Sequence, residues 1–277
     1  MAVEATVLLA AERAVDVGAA LLRRGRSHVG TLIPKDGRDY ATAVDLEIEA
    51  AIKRTLGEAT PDIPFLGEEE GGASADAPRV WVADPIDGTV NFSRTSPLCA
   101  IALALVEGGR PVFGIVDLPL LGERYVALEN AGAHLNGRRI AVSDVASLED
   151  AVVGFADFAV GPHAAAENRI HRELMRRLAR DSLRVRVHGS ASLDLAWLAA
   201  GRLDATVMLS NLPWDVIAGV LLVREAGGEA YDYDGSPYSP HSAFTLASVP
   251  RIASNLLAVV DDSIAAVEAS WPLGARD

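Results

Sequence analysis

The chain has 277 residues, of which 50% are hydrophobic, and its mean hydropathy of +0.20 permits a large packed interior. Lys and Arg total 25 against 38 Asp and Glu, and the resulting net charge of −13 argues against a nucleic-acid or anionic-membrane surface. The start of the chain lacks the basic segment of a signal peptide, and a single cysteine excludes an intrachain disulfide. We therefore expect a soluble, cytoplasmic protein that binds neither nucleic acid nor membrane.

The first half of the chain predicts two helices followed by a series of strands. Apolar residues recur at helical spacing over 4–24 and 43–57, and Gly25 and Gly57 are typical helix ends. The strand-like segments that follow are IPFLG, RVWVAD, LCAIALALVEGG, PVFGIVDLP, GERYVALE and GAHLNGRRIAVS. Turn dipeptides join several of them, which predicts a meander on a large sheet. The segment 67–78 is the most loop-like of this half.

From about residue 151 strands alternate with helices. The strand-like segments AVVGFAD, LRVRVHG and DATVML are separated by helices predicted over 163–180, 190–201 and 214–227, and a last helix is predicted over 251–270. Such alternation is typical of an α/β arrangement. No linker divides the chain, so we expect 1–150 and 151–277 to be an α+β half and an α/β half of one compact unit.

The segment WVADPIDGTVNF places two acids three residues apart, with a proline between them that fixes the path of the backbone. If Asp84 and Asp87 return to the same side about 4 Å apart, they repel by roughly 4 kcal/mol at an effective dielectric of about 20, and a divalent cation would remove that cost. Oxygen ligands alone favour Mg²⁺ or Mn²⁺ over Zn²⁺. Gly88 permits the close approach of a ligand, and Thr89 offers a hydroxyl and an N–H at the start of a short helix, where anions bind.

Three further acids stand at predicted element ends, namely Asp45, Glu68 and Asp215. Taken alone, each feature has an ordinary interpretation. Asp84-Pro and Asp87-Gly are common turn pairs, the acids around Glu68 suit a solvated loop, and Asp215 suits a helix cap. Their combination in one chain is what favours a metal site.

Four pieces together resemble, in order and spacing, the inositol monophosphatase family of Mg²⁺-dependent, lithium-sensitive phosphatases. They are Thr42-x-x-Asp45, Gly67-Glu68-Glu69, Asp84-Pro85-Ile86-Asp87-Gly88-Thr89 and Trp214-Asp215. Further matches at Asn91-Phe92, 189–205 and 225–228 extend the likeness over nearly the whole chain. The resemblance implies an α/β (α+β) fold built as a layered α-β-α-β-α sandwich, a homodimer, and a phosphoric monoester hydrolase.

The resemblance also implies a role for each site residue. Glu68, Asp84 and the Ile86 carbonyl would hold one Mg²⁺ or Mn²⁺; Asp84, Asp87 and Asp215 would hold a second; a third, weaker ion would bind near Glu68. Asp45, Glu68 and Thr89 would be catalytic, with Thr89 and Asp45 helping to deprotonate the attacking water. The substrate would contact Asp87, Gly88, Thr89, Gly189, Ser190, Ala191 and Met208.

The match leaves the ester undetermined. Inositol-specific members place a glutamate where this chain has Met208, so one partner for substrate hydroxyls is missing. Inositol monophosphate or a similar polyol phosphate is the expected substrate. The alternatives are histidinol phosphate, fructose 1,6-bisphosphate or a 3'-phosphonucleotide, or a binding protein that retained the fold without activity.

Several other residues have side chains that could take part in catalysis, but they are given simpler roles. Lys35 is assigned a phosphate-side role, and Cys99 is predicted to be a small core residue, because a Cys-x5-Arg phosphatase loop would need Arg at 105. The segment DYDGS at 232–236 is predicted to be a turn rather than an Asp-x-Asp nucleophile loop. No histidine pair has metal-ligand spacing, so structural or surface roles are expected for His28, His134, His163, His171, His188 and His241.

Overall fold

The computed structural model describes residues 3–26, 32–35, 40–160, 164–209 and 211–267. Within these ranges the α-helices are Ala5–Gly25 (α1), Ala43–Ala59 (α2), Thr89–Ser93 (α3), Ala164–Asp181 (α4), Ala191–Ala199 (α5), Pro213–Glu225 (α6) and Ala253–Val267 (α7). The strands are Ile33–Pro34 (β1), Tyr40–Ala41 (β2), Phe65–Gly67 (β3), Gly71–Gly72 (β4), Arg79–Asp87 (β5), Ala100–Glu107 (β6), Arg110–Leu118 (β7), Glu123–Leu128 (β8), Gly132–Leu135 (β9), Arg138–Arg139 (β10), Val152–Phe155 (β11), Arg184–Arg186 (β12), Ala205–Leu209 (β13), Glu229–Tyr231 (β14) and Phe244–Ser248 (β15).

The larger sheet has eight strands in the order β10-β9-β8-β7-β6-β5-β3-β4, antiparallel except where β3 runs parallel to β5. Alternate residues of its central strands enter different hydrophobic clusters, with Val82 on one face and Trp81 and Ala83 on the other. Both faces are therefore buried, which explains why these strands are almost continuously apolar.

Helices α1 and α2 pack together and cover the face that carries Trp81 and Ala83. Helices α5 and α6 cover the opposite face. They also pack against the second sheet, of order β12-β11-β13-β15-β14, and α4 and α7 pack together against that sheet. The layers are thus α-β-α-β-α, the sandwich that the resemblance implies.

Strand β5 continues through the acidic motif, whereas the sequence predicts that it ends at Asp84. Its register with β6 shifts between Asp84, which pairs with Ala102, and Asp87, which pairs with Ala100. A bulge of this kind tolerates Pro85, which has no N–H to contribute to the ladder. Both acids are therefore held by a buried strand rather than by a free loop.

Other elements differ from the prediction in extent. Helix α2 passes through Gly57, because an exposed glycine in a helix costs less than the tertiary packing of α2 gains. The short strands β1, β2, β4, β14 and β15 were not predicted, and β4 falls within the segment 67–78 expected to be a loop. His163, the predicted start of α4, and the predicted end of the last helix lie outside the described residues, as does His28. The division into 1–150 and 151–277 stays a prediction.

The structure confirms the structural roles predicted for Cys99 and for residues 232–236. Cys99 is fully buried in the cluster beneath α1 and α2. Residues 232–236 form a turn, closed by hydrogen bonds from Asp232 N to the Ser236 carbonyl at 2.8 Å and from Gly235 N to the Asp232 carbonyl at 3.1 Å. None of the described helices is both long and apolar enough to span a membrane.

Two glycines test how tightly the central helices pack. A methyl group added at Gly219 in α6 would lie 2.5 Å from the Cβ of Leu195 in α5, whereas one added at Gly57 would meet nothing within 4 Å. We expect Gly219→Ala to lower the free energy of unfolding by about 1–3 kcal/mol because of overpacking. Gly57→Ala should raise it by about 0.5–1 kcal/mol because it removes the entropic penalty of glycine. Urea denaturation measures both, and a stabilised Gly219→Ala would contradict the packing described.

Candidate active site

The residues predicted to form the site come from separate elements but line one cavity of about 260 Å³. The predicted residues that line it are Glu68, Asp84, Ile86, Asp87, Gly88, Thr89, Gly189, Ser190, Ala191 and Asp215. Asp45 lies behind Thr89, and Met208 lines an adjoining cavity. The structure therefore brings the predicted residues together, while the chemical role of each stays a prediction.

Asp84 is the least compensated acid of the cavity. It is 2% exposed, and its Oδ1 is buried without a hydrogen-bond partner. Burial raises the pKa of Asp84 well above its ordinary value, and the charges of Glu68, Asp87 and Asp215 raise it further. A buried carboxylate oxygen that no donor reaches is a costly arrangement unless a cation binds it.

Asp87 is held by the start of α5. Its Oδ2 accepts hydrogen bonds from the Ser190 hydroxyl at 2.7 Å and from Ser192 N at 2.6 Å, and its Oδ1 accepts from Ala191 N at 3.2 Å. Burial raises the pKa of Asp87 to about 6, although these three hydrogen bonds lower it. The carboxyl is thus fixed in orientation and still titrates near neutral pH.

The acidic loop after β3 is held by one buried glutamate and one lysine. Glu49 of α2 accepts from the N–H groups of Glu69 and Glu70 at 2.9 and 2.7 Å. Lys35 Nζ lies 2.7 Å from both Glu68 Oε1 and Glu69 Oε1. Burial raises the pKa of Glu69 to about 7, an effect that Lys35 opposes and the charge of Glu68 adds to. Lys35 therefore supplies positive charge to the acidic loop, and its phosphate-side role stays a prediction.

Thr89 and Asp45 form a buried pair beneath the cavity. Thr42 and Asp45 make a reciprocal capping box at the start of α2, in which Asp45 Oδ2 accepts from Thr42 N at 2.9 Å and also from the Thr42 hydroxyl. Asp45 Oδ1 accepts from the Thr89 hydroxyl at 2.8 Å. Burial raises the pKa of Asp45, and its bonds to Thr42 and Thr89 lower it. The helix cap thus also orients the Thr89 hydroxyl.

Gly88 is required by the backbone at the start of α3. Its φ of 90° lies in the left-handed region, and a Cβ there would lie 3.0 Å from the Leu98 carbonyl oxygen and 3.1 Å from that of Gly189. The neighbouring Asn91 amide donates to Leu98 and His188 carbonyls at 2.8 and 2.7 Å. The first turn of α3 is therefore fixed against the segment that opens α5.

Asp215 occupies the first turn of α6 and serves two purposes. Its Oδ2 accepts from Leu212 N at 2.8 Å, which is the capping role that its position alone suggests, and it lines the cavity as well. The Ser192 hydroxyl donates to the Asp215 carbonyl at 2.8 Å. This bond joins the starts of α5 and α6, so Asp87 and Asp215 are positioned by linked elements.

The structure adds residues that the sequence interpretation missed. Tyr40, Asp157 and Asp194 line the same cavity, and Phe158 and Asn211 line the adjoining one. Asp157 follows β11, which runs parallel to both of its neighbours, so its position at the carboxyl end of a parallel strand was a usable signal. Tyr40 and Asn211 carry no comparable signal in the sequence.

The donor set fits a hard divalent cation. Within the described residues no three His, Cys, Asp or Glu side chains already stand in complete metal-ligand geometry. The charges of Glu68, Asp87 and Asp215 nevertheless act strongly on Asp84, whose Oδ1 has no other partner. Carboxylate oxygens without sulfur or imidazole are the ligands that Mg²⁺ or Mn²⁺ prefers. The chemistry of the donor set therefore matches the implied metal.

Comparison with known proteins decides the family. The model described as the inositol monophosphatase family matches residues 4–266. This chain belongs to the inositol monophosphatase family. The match covers both sheets and every predicted ligand, so the recognition from four short motifs is confirmed.

Individual relatives of the family agree in sequence and in fold. Inositol-1-monophosphatase ImpA of Mycolicibacterium smegmatis is 40% identical over 228 residues, which cover 82% of this chain and 82% of the relative. A Thermotoga maritima protein named fructose-1,6-bisphosphatase/inositol-1-monophosphatase is 34% identical over 230 residues, covering 82% of this chain and 84% of the relative. The crystal structure of extragenic suppressor protein suhB from Bartonella henselae matches with a TM-score of 0.85 at 30% identity, covering 92% and 98% of the two chains. The predicted fold class and the predicted enzyme class, a phosphoric monoester hydrolase, are confirmed.

The clustered acids of this inositol monophosphatase family member predict an unusual pH dependence of the metal-free protein. The pKa values of Asp87 and Glu69 rise to about 6 and about 7, from ordinary values of 3.8 and 4.5. A raised folded-state pKa contributes stability that is complete below the ordinary value and is lost as the pH rises through the folded value. In EDTA, thermal denaturation should therefore show these two groups lowering the melting temperature between about pH 4 and about pH 7, and Mg²⁺ at the upper pH should restore most of the loss.

Removing one acid should reduce that dependence. Asp84→Asn is expected to melt at a higher temperature than the wild type in EDTA near neutral pH, and to gain less from Mg²⁺. Asp62→Asn, at an exposed turn, is the control and should behave as the wild type does. A flat pH profile of the metal-free wild type, or unchanged stabilisation of Asp84→Asn by Mg²⁺, would contradict mutual repulsion among these acids.

Proposed function

We propose that this chain is a Mg²⁺-dependent phosphomonoesterase that hydrolyses inositol monophosphate or a similar small polyol phosphate. The observation that carries the proposal is the buried, unpartnered Oδ1 of Asp84, which lies within range of three other acids and in the same cavity as Thr89. A protein that only bound sugars would have no need to gather four acids at such electrostatic cost. The catalytically inactive alternative is therefore disfavoured.

The proposed ligand sets are those that the family resemblance implies. Glu68, Asp84 and the Ile86 carbonyl would hold one ion, and Asp84, Asp87 and Asp215 would hold a second, with Asp84 belonging to both sets. A third ion would bind near Glu68, where the Lys35 ammonium now contacts the carboxylate. Bound Mg²⁺ would neutralise the phosphate, acidify the attacking water and stabilise the departing oxygen.

The protein side of the proposed reaction centres on Thr89 and Asp45. The Thr89 hydroxyl would accept a proton from the attacking water while it passes its own proton to Asp45 Oδ1, 2.8 Å away. Burial raises the pKa of Asp45, which makes this carboxylate a better proton acceptor. The N–H groups of Gly88 and Thr89, at the start of α3, would bind the phosphate oxygens. No residue is required to form a covalent intermediate.

The leaving group would lie toward the start of α5 and the adjoining cavity. Ser190 and Ala191 line the first cavity, and Ala191 and Met208 line the second. Met208 is buried and offers no donor for substrate hydroxyls. Histidinol phosphate, fructose 1,6-bisphosphate and a 3'-phosphonucleotide remain the alternative esters. Lithium sensitivity, a homodimer, a cytoplasmic location and the absence of a nucleic-acid partner remain predictions.

The test of the proposed function is a panel of phosphate esters assayed for phosphate release with Mg²⁺, with and without Li⁺. Inositol 1-phosphate should be hydrolysed only with Mg²⁺ present, and Li⁺ should inhibit. Asp84→Asn should lose activity by at least about 10²-fold, because one carboxylate would serve both ions. A folded Asp84→Asn with normal turnover would rule out the two-ion site, and no hydrolysis of any ester would rule out the enzyme.

A matched pair of variants tests the proton path. Thr89→Ser keeps the hydroxyl that contacts Asp45, whereas Thr89→Val keeps the shape and removes it. We expect kcat to fall by about 10²-fold or more in Thr89→Val and by less than about tenfold in Thr89→Ser, as is typical of proton-transfer groups. Equal activity of the two variants would exclude Thr89 from the proton path, and circular dichroism shows whether both fold.

A further inference from the structure

A second cavity of about 330 Å³ continues the candidate active site on the side away from Glu68. Ala156, Asp157, Ala191 and Asp215 line both cavities. A substrate whose phosphate lies against Gly88 and Thr89 would therefore extend its alcohol into this second space. We name it the leaving-group cavity, lined by Ala156, Asp157, Phe158, Ala159, Val160, Glu167, Ala191, Met208, Leu209, Asn211 and Asp215.

The leaving-group cavity carries negative charge and no described positive charge. Asp157 is exposed at the junction of the two cavities, and Glu167 of α4 lies farther along the wall. No Lys or Arg is among the described residues that line either cavity. Lys35 contacts Glu68 and Glu69, which do not line the leaving-group cavity. A second phosphate on the alcohol would therefore face the carboxylates of Asp157 and Glu167 and no Lys or Arg of the described lining.

The loop that carries Asp157 is held in place. The ring of Phe158 packs against His171 of α4 with centroids 5.4 Å apart, and Asn168 donates to the Ala159 carbonyl at 2.9 Å. These contacts keep residues 157–159 against α4, so the Asp157 carboxylate stays at the mouth of the leaving-group cavity. The other wall is apolar, and Met208 and Leu209 contribute to it.

We propose that Asp157 and Glu167 disfavour a second anionic group, so that the enzyme prefers esters whose alcohol carries no further phosphate. This inference rests on the proposed function and narrows its substrate class, because it ranks bisphosphates below monophosphates. Proteins bind phosphate groups with Arg, Lys or helix N-termini. The described lining of this cavity contains no Arg or Lys. At the helix starts that reach it, Ala191 N and Ser192 N donate to Asp87, and Leu212 N donates to Asp215. Asp157 is thus assigned as a specificity-determining residue.

The experiment compares two esters of one sugar. Fructose 1-phosphate and fructose 1,6-bisphosphate share the reacting ester and differ only in the second phosphate. Initial rates with Mg²⁺ are followed by the appearance of fructose and of fructose 6-phosphate, respectively. The wild type should favour the monophosphate in kcat/KM by about tenfold or more, the effect of a carboxylate about 6 Å from a dianion in water. Added salt should narrow the ratio.

Variants assign the effect to the acidic wall. Asp157→Asn should raise the bisphosphate-to-monophosphate ratio of kcat/KM several-fold, Asp157→Lys should raise it further, and Glu167→Gln should act in the same direction. Asp261→Asn removes an equal charge from the exposed face of α7, outside both cavities, and should leave the ratio unchanged. Using a ratio within each variant cancels any general loss of activity.

The outcomes separate the two proposals. Equal kcat/KM for the two esters in the wild type, or a ratio that Asp157→Lys does not change, would overturn the specificity inference and leave the phosphatase intact. Absence of hydrolysis of both these esters and of inositol 1-phosphate with Mg²⁺ would overturn the proposed function, and the inference would fall with it.

Discussion

Repulsion among buried carboxylates is the constraint on which the rest of this structure depends. Placing several acids around one cavity would destabilise the fold unless each carboxylate found a compensating charge or donor. Asp87 receives three hydrogen bonds from the start of α5, Asp215 receives a backbone N–H at the start of α6, and Glu68 contacts Lys35. Among the described acids that line this cavity, only Asp84 retains a buried oxygen without a hydrogen-bond partner. The fold thus compensates the outer acids and leaves one oxygen of the central acid without a donor, which is why the proposed cation site centres on Asp84.

The layered sandwich explains how an acidic cavity can also receive an anionic phosphate. The starts of α3, α5 and α6 all line the cavity, through Gly88, Ser190 and Asp215, and the start of α2 reaches it through the bond from Thr89 to Asp45. Helix N-termini carry partial positive charge and unpaired N–H groups. Several of these donors are already used by the acids themselves, so the helix starts stabilise the carboxylates. As proposed, the N–H groups of Gly88 and Thr89 would remain for phosphate. These helices are anchored in the core between and around the two sheets, which fixes the orientation of Asp45, Asp87 and Asp215.

The parts of the fold and site that are encoded locally could be predicted from the sequence, and those that depend on distant partners could not. The amphipathic helices α1 and α2, the alternation after residue 151 and the acid pair flanking a proline all carry their signal within a short window. The bulge that keeps β5 in the sheet to Asp87 depends on its register with β6, and β14 and β15 exist only as partners of strands elsewhere in the second sheet. Lys35 illustrates the limit most clearly, because its contact with Glu68 joins residues 33 positions apart. The family resemblance supplied what local patterns lacked, since it carries long-range pairing implicitly.

The residues proposed for catalysis and those proposed for substrate selection lie on different elements of this molecule. The acids lie on β5, on the loop after β3 and on helix starts, whereas the leaving-group cavity is formed by the segment after β11, by α4 and by the end of β13. Met208 is 1% exposed and lies within β13, where it pairs with Thr245 in the middle of a sheet. A carboxylate at this position would therefore have a large desolvation cost unless a hydroxyl group of the ligand donated a hydrogen bond to it. Asp157, in contrast, is exposed to solvent. Apart from Asp215, the described acids that line the leaving-group cavity are Asp157, on an exposed loop, and Glu167, on α4. As proposed, they would select among alcohols from positions separate from the buried acids that are proposed to hold the cations.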